Sequence, residues 1–234
     1  MRTTSATNAS PSAQNTPFDI RNRRLNYARS DFDRRHALQG YVVYDLPLGR
    51  NRRFLSDAPG VVNQIIGGWE LASSLILQSG RPFTVYSGAF TVSNVVLSPA
   101  NCNGCSPDMG SVVQNAGTNF IFTPEQIALF STPAPGELGN TGRNFFTGPR
   151  FFNLDMTLRK RFFLGEERNL EFRADINNLT NTPSFEFPIS STSGIGLQSP
   201  GFTGSPSLNS TFGRIRDSVN SNSRRIQLGI KFNF

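Results

Sequence analysis

A chain of 234 residues in which only 37% are hydrophobic, yet 21 are Phe and 21 are Gly, has room for one or two domains and holds no run near the roughly 20 apolar residues that a membrane helix needs. That excludes a helical membrane protein but not a β one, whose strands alternate apolar with polar residues and leave the average polar. The net charge of +7 gathers at Arg21, Arg23, Arg24, Arg29, Arg34 and Arg35, at Arg50, Arg52 and Arg53, and at Arg214, Arg216, Arg224 and Arg225; no recognition helix or zinc spacing accompanies it, so loop ends facing solvent or anionic lipid are expected rather than a nucleic-acid partner.

Residues 1–35 open with Ser, Thr, Asn and Pro and continue Arg-rich without periodicity, which predicts a disordered or outer-loop arm. The start carries no apolar export core, so the chain is expected either to stay inside the cell or to be part of a longer polypeptide. The first strand is predicted from His36 to Leu46, with Leu38, Gly40, Val42, Tyr44 and Leu46 on one face and Gln39, Tyr41 and Asp45 on the other, closed by Pro47 and Gly49. Val61, Val62, Ile65 and Ile66 suit a short helical turn in the connection that follows.

Gly67-Gly68 opens a second strand with Trp69, Leu71, Ser73, Leu75 and Leu77 on one face, and Phe83 to Tyr86 are expected to continue it beyond Gly80 and Pro82. From Ser87 to Arg150 the chain is rich in Asn, Gly, Ser and Pro, a connection too long for a compact soluble domain. Within it only Thr123 to Phe130 has a helical pattern, with Thr123 placed as the cap and Pro124 at the first helical position. Cys102 and Cys105 suit a small loop disulfide or two free thiols better than zinc, which needs four ligands, or a redox motif, which should open a helix.

A hairpin follows. Phe152, Leu154, Met156, Leu158 and Phe162 share one face, Gly165 to Arg168 turns the chain, and Leu170, Phe172, Ala174 and Ile176 share a face on the way back. Residues 181–223 form another long Ser/Gly/Pro-rich loop. The last stretch alternates without error, with Ile226, Leu228, Ile230, Phe232 and Phe234 apolar and Arg225, Gln227, Gly229, Lys231 and Asn233 polar or Gly.

If neighbouring strands are antiparallel, both oversized loops and the N-terminal arm lie at one edge, and the tight turn and the 47–66 connection at the other. Tyr44, Trp69 and Phe162 then fall at the short-turn edge with Phe232 and Phe234, while Phe83, Tyr86 and Phe152 fall toward the long-loop edge. Aromatic rims, strands near ten residues and one-sided loops point to an all-β chain of about five antiparallel transmembrane β-barrel strands, a partial barrel with long extracellular loops. A soluble β-sandwich explains the alternation equally well but not the one-sided loops.

Several blocks together resemble the C-terminal barrel region of TonB-dependent outer-membrane receptors, and most closely the Oar-like subgroup with a carboxypeptidase-regulatory-like domain. They are Arg29 to His36, Val43 to Gly49, Gly67 to Glu70, Gln78 to Val85, Asn140 to Asn144 and Phe172 to Asn181. The resemblance runs from about Arg29 to Phe234 and implies that residues 36–234 are the C-terminal portion of such a barrel, which in the family has about 22 strands and an N-terminal plug. It also implies that Ile226, Leu228, Ile230, Phe232 and Phe234 form the signal read by the barrel-assembly machinery.

The expected function is therefore the C-terminal part of a receptor in the bacterial outer membrane that takes up a scarce siderophore, oligosaccharide or peptide. Coupling to TonB would come only through N-terminal regions that this chain lacks. The alternative is a surface binding or adhesion protein without energised transport. The lipid bilayer is the expected partner, no cofactor or metal is expected, and the ligand-binding residues are not legible. An enzyme is not expected: His36 is the only imidazole, no Gly-x-Ser-x-Gly elbow occurs, and Glu166-Glu167 lie in a turn.

Overall fold

The computed structural model describes residues 17–92, 97–115, 118–165, 168–186, 194–196, 212–217 and 223–234. The chain divides into a sheet unit (Ala37–Gln78, Phe151–Ser184 and Asn220–Phe234) and a loop unit (Met1–His36, Ser79–Arg150 and Phe185–Val219).

The sheet unit holds five strands, β1 (Ala37–Asp45), β2 (Trp69–Gln78), β3 (Phe151–Phe163), β4 (Asn169–Asn177) and β5 (Arg225–Asn233). They pair in sequence order, and every neighbouring pair is antiparallel. These are the five strands predicted from alternation, with ends displaced by a residue or so. The outer ladders of β1 and β5 have no partner strand among the described residues.

Register decides which side chains share a face. Tyr44 stands opposite Leu71, Leu71 opposite Leu158, Leu158 opposite Ala174 and Ala174 opposite Leu228. The apolar set of each strand therefore continues into the next, and one face is apolar from β1 to β5. The same row lies near the end of β1 but in the middle of β5, the stagger of strands that tilt.

The two short connections, 46–68 and 164–168, leave one edge of the sheet. The helix α1 (Gly60–Ile66) lies in the first. Three hydrogen bonds hold it at the strand ends. Asn63 Oδ1 accepts from Arg50 N at 2.6 Å, Gln64 Nε2 donates to the Phe163 carbonyl at 2.7 Å, and Trp69 Nε1 donates to the Ile65 carbonyl at 3.0 Å. Gly68 adopts φ +68°, and a Cβ there would meet the Arg161 carbonyl at 2.6 Å, so the turn into β2 requires glycine. Glu166 and Glu167 lie outside the described residues.

The connections from the other edge are not slack. Residues 79–150, with parts of 17–36 and 185–217, build a unit with its own core. Phe83, Phe122, Phe130, Phe146 and Phe212 are all buried in it, with ring centroids 5.1–6.1 Å apart. Such tilted, edge-on and stacked pairs add to the area term of burial. Much of the phenylalanine excess serves this core.

Three expectations change here. Phe83 to Tyr86 do not continue β2. Pro82–Tyr86 is a separate strand paired with Phe146–Thr147 and, in parallel, with Gly194–Gly196. The break falls at Gly80, pressed so closely on the Gly148 carbonyl that no Cβ fits. Phe83 and Tyr86 are buried in the loop unit and form no aromatic rim. The helix at Thr123 is shorter than its pattern, because Phe130 leaves it for a strand beside Asn101–Cys102 and enters the core.

The cap itself is as the sequence predicts. In α2 (Pro124–Ile127) the Thr123 hydroxyl accepts from Gln126 N, and the Gln126 side chain accepts from Thr123 N, a complete capping box. Residues 1–16 of the predicted arm lie outside the described residues. Those that follow include a 3-10 turn, Arg23–Asn26, and a buried Phe18 whose ring meets Tyr86 edge-on at 6.4 Å.

Candidate functional site

The polar face of the sheet carries a compact ion-pair network. Glu70 on β2 meets Arg159 Nη1 at 2.7 Å and Arg161 Nη2 at 3.2 Å, both from β3. Glu171 on β4 meets the same guanidiniums from the other side, at 3.4 and 3.3 Å. Farther along, Asp175 accepts from the Thr157 hydroxyl at 2.6 Å and from Arg173 Nε at 2.9 Å. Alternation produces this: strand residues two apart return to one face, so Arg159 and Arg161 form a cationic pair that only carboxylates on the neighbouring strands can meet. Asp155 accepts from Asn153 Nδ2 and Asn178 N, which fixes the end of the hairpin.

The opposite face has one charge among its strand positions, Lys160. It lies between Leu158 and Phe162, where alternation requires it, but the basic run Arg159-Lys160-Arg161 obscures the period. Lys160 is only 2% exposed, whereas Ile230 on the same face is 74% exposed. Its ammonium donates to the Gly67 carbonyl and lies 5.4 Å from the Trp69 ring centroid and 4.9 Å from that of Phe162. Cation–π contacts of this kind contribute about 0.5–2 kcal/mol. A pocket of about 400 Å³ opens beside it, walled by Ile65, Trp69, Phe162, Leu170, Phe172 and Ile230.

Ile226, Leu228, Ile230, Phe232 and Phe234, expected from the resemblance to form the assembly signal, all stand exposed on or at the end of β5, an edge strand among the described residues. Tyr44 is exposed on the apolar face at the short-turn end of β1, and Trp69 and Phe162 meet around Lys160 on that face. Only the register shows that a lysine joins those two rings.

Within the loop unit, three of the sequence blocks that carry the resemblance converge. Asn144, buried at φ +51°, donates from Nδ2 to the Arg29 carbonyl at 2.8 Å and to Asp31 Oδ1 at 2.6 Å. Its own N–H donates to Thr84 Oγ1 at 2.9 Å. Arg29 Nη2 in turn donates to Thr147 Oγ1 at 2.9 Å, and burial together with the nearby Arg35 holds its pKa below the usual guanidinium range.

Cys102 and Cys105 are joined as a disulfide, their Cα atoms 5.7 Å apart, on a strand end that Asn140 holds from both sides. His36 is exposed, and its backbone pairs with Ser79. No group of three His, Cys, Asp or Glu that could hold a metal occurs among the described residues, and none of their helices is long and apolar enough to cross a membrane.

A family model described as an outer membrane beta barrel domain matches residues 1–227. No curated protein and no solved structure matches the chain.

Proposed function

The chain belongs to the outer membrane beta barrel domain family and to the bacterial outer membrane, and from that premise we propose that it is the C-terminal part of a TonB-dependent receptor that takes up a scarce siderophore, oligosaccharide or peptide. The observation that supports this is the contrast between the two faces of the sheet. The apolar face offers exposed hydrocarbon to lipid. The other gathers Glu70, Arg159, Arg161 and Glu171 into one network that needs water or polar neighbours in front of it.

A barrel of about eight strands fills its interior with side chains, whereas wider ones enclose a channel or a plug. Five strands cannot close alone. Unpaired backbone groups at the outer edges of β1 and β5 would each cost several kcal/mol in hydrocarbon, so further strands pair there, from the same polypeptide or from other copies.

The test is uptake by cells that make the full-length gene product. Labelled siderophore, oligosaccharide and peptide pools are offered with and without an uncoupler of the proton gradient. Entry of one class that stops with the uncoupler is the expected result. Surface binding without energised entry would overturn transport and leave a binding or adhesion protein.

A further inference from the structure

We propose that the short-turn end of the apolar face is a binding site for an anionic phospholipid, with the headgroup phosphate on Lys160 and an acyl chain in the pocket beside it. The proposal rests on the reading of the sheet as the wall of an outer-membrane barrel.

Four observations carry it. First, Lys160 takes part in no ion pair among the described residues, although every strand arginine from 159 to 173 has a carboxylate. An ammonium has three donors; the Gly67 carbonyl takes one and the Trp69 and Phe162 rings cover most of the rest, so a phosphate meets it only where the pocket opens on Lys160. A cation taken from water without an anion is costly, and an anionic ligand offsets that cost.

Second, the pocket beside the charge is walled by hydrocarbon and aromatic rings and holds about 400 Å³. A soluble anion has nothing to gain from such walls, while a molecule with an anionic head and an apolar chain matches both parts. Third, the pocket is continuous with the exposed apolar face, where Ile230 forms its wall and Leu228 lies beside it. Lipid is already the solvent there, so an acyl chain reaches the site without leaving the bilayer.

Fourth, the connection above the pocket has the composition of a membrane-surface segment. Phe54, Leu55, Val61, Val62 and Ile65 are exposed. Arg50, Arg52 and Arg53 accompany them against the single carboxylate of Asp57. The bond from Arg50 N to Asn63 Oδ1 fastens the arginine turn to α1, and Ile65 of α1 is a wall of the pocket. Exposed apolar residues beside basic ones bind anionic lipid surfaces by area and by charge together.

Trp69 is the only tryptophan of the chain and lies in the pocket wall, so it reports occupancy directly. The full chain is reconstituted into phosphatidylcholine vesicles containing increasing fractions of a brominated phospholipid, whose bromines quench indole fluorescence. Flotation of the same samples measures membrane association.

Brominated phosphatidylglycerol is expected to reach half-quenching at a mole fraction about fivefold lower than brominated phosphatidylcholine, the factor that corresponds to roughly 1 kcal/mol per basic residue at a lipid surface. Lys160→Met abolishes the difference, and Lys160→Arg keeps it. The combined Arg50→Gln, Arg52→Gln and Arg53→Gln variant, altered only in an exposed turn, shrinks it about twofold or more.

Coincident curves for the two lipids in a protein that floats with the vesicles would overturn the lipid site and leave the barrel standing. A protein that neither floats nor is quenched by either lipid would overturn both. Should Lys160→Met fail to float, the arginine variant decides: a difference that shrinks supports the site, and an unchanged difference rejects it.

Discussion

Lys160 on β3 stands directly opposite Trp69 on β2, its ammonium 5.4 Å from the indole centroid. The pair inverts the usual order of a protein surface. The cation is covered, while Ile226, Leu228 and Ile230 are open. In water that arrangement wastes apolar area; in a bilayer it is the expected one, because hydrocarbon is the solvent and a charge must be shielded or reach the interface.

The inversion makes adjacent residues of β5 respond oppositely. Leu228→Arg puts a cation on the lipid face near mid-strand and should destabilise the folded barrel by about 2–4 kcal/mol. Gln227→Arg, one residue away on the polar face, should be nearly neutral. Heat-modifiable migration of the membrane-extracted protein measures the folded fraction, and equal loss in both variants would contradict the facing assigned to β5.

The polar face should weaken through its shared carboxylate. Glu70→Gln keeps the shape but leaves Arg159 and Arg161 dependent on Glu171 alone. A loss of about 1–3 kcal/mol is expected in this half-covered network. Added salt should narrow the gap to the parent protein, and thermal melts in micelles at low and high ionic strength check both statements.

Asn144 should matter to the loop unit far more than its size suggests. Asn144→Ala removes the bonds to Asp31 and the Arg29 carbonyl and puts alanine at φ +51°. A cost of about 2–4 kcal/mol combines lost buried bonds with backbone strain. Asn144→Gly tolerates the backbone angle and should cost less. Limited proteolysis should cut the 79–150 segment earlier in Asn144→Ala, with the strands of the sheet protected as before.

Tyr86 gives the loop unit an alkaline limit. Burial raises its pKa above the ordinary 10.0. The folded unit then holds the phenolic proton more tightly than the unfolded chain does. Stability is complete below about pH 10 and falls as pH rises toward the folded value. Tyr86→Phe has no proton to lose, so protease resistance of the loop unit between pH 9 and 11 should decline less steeply in the variant.

The amino-acid order alone determines all five strands, the face each side chain takes, the capping box at Thr123 and the asymmetry of the connections. The reason is local: a strand repeats every two residues, so Ile226, Leu228, Ile230 and Phe232 declare their shared face without any partner. Tertiary structure decides what neighbours across strands. That Lys160 meets Trp69, and that Glu70 meets Arg159, depends on the register of ladders between segments some 90 residues apart. It also decides the fate of the long connection, whose Phe83, Phe122, Phe130 and Phe146 are too scattered to show a period. Their burial in one core comes from long-range closure, which no local pattern records.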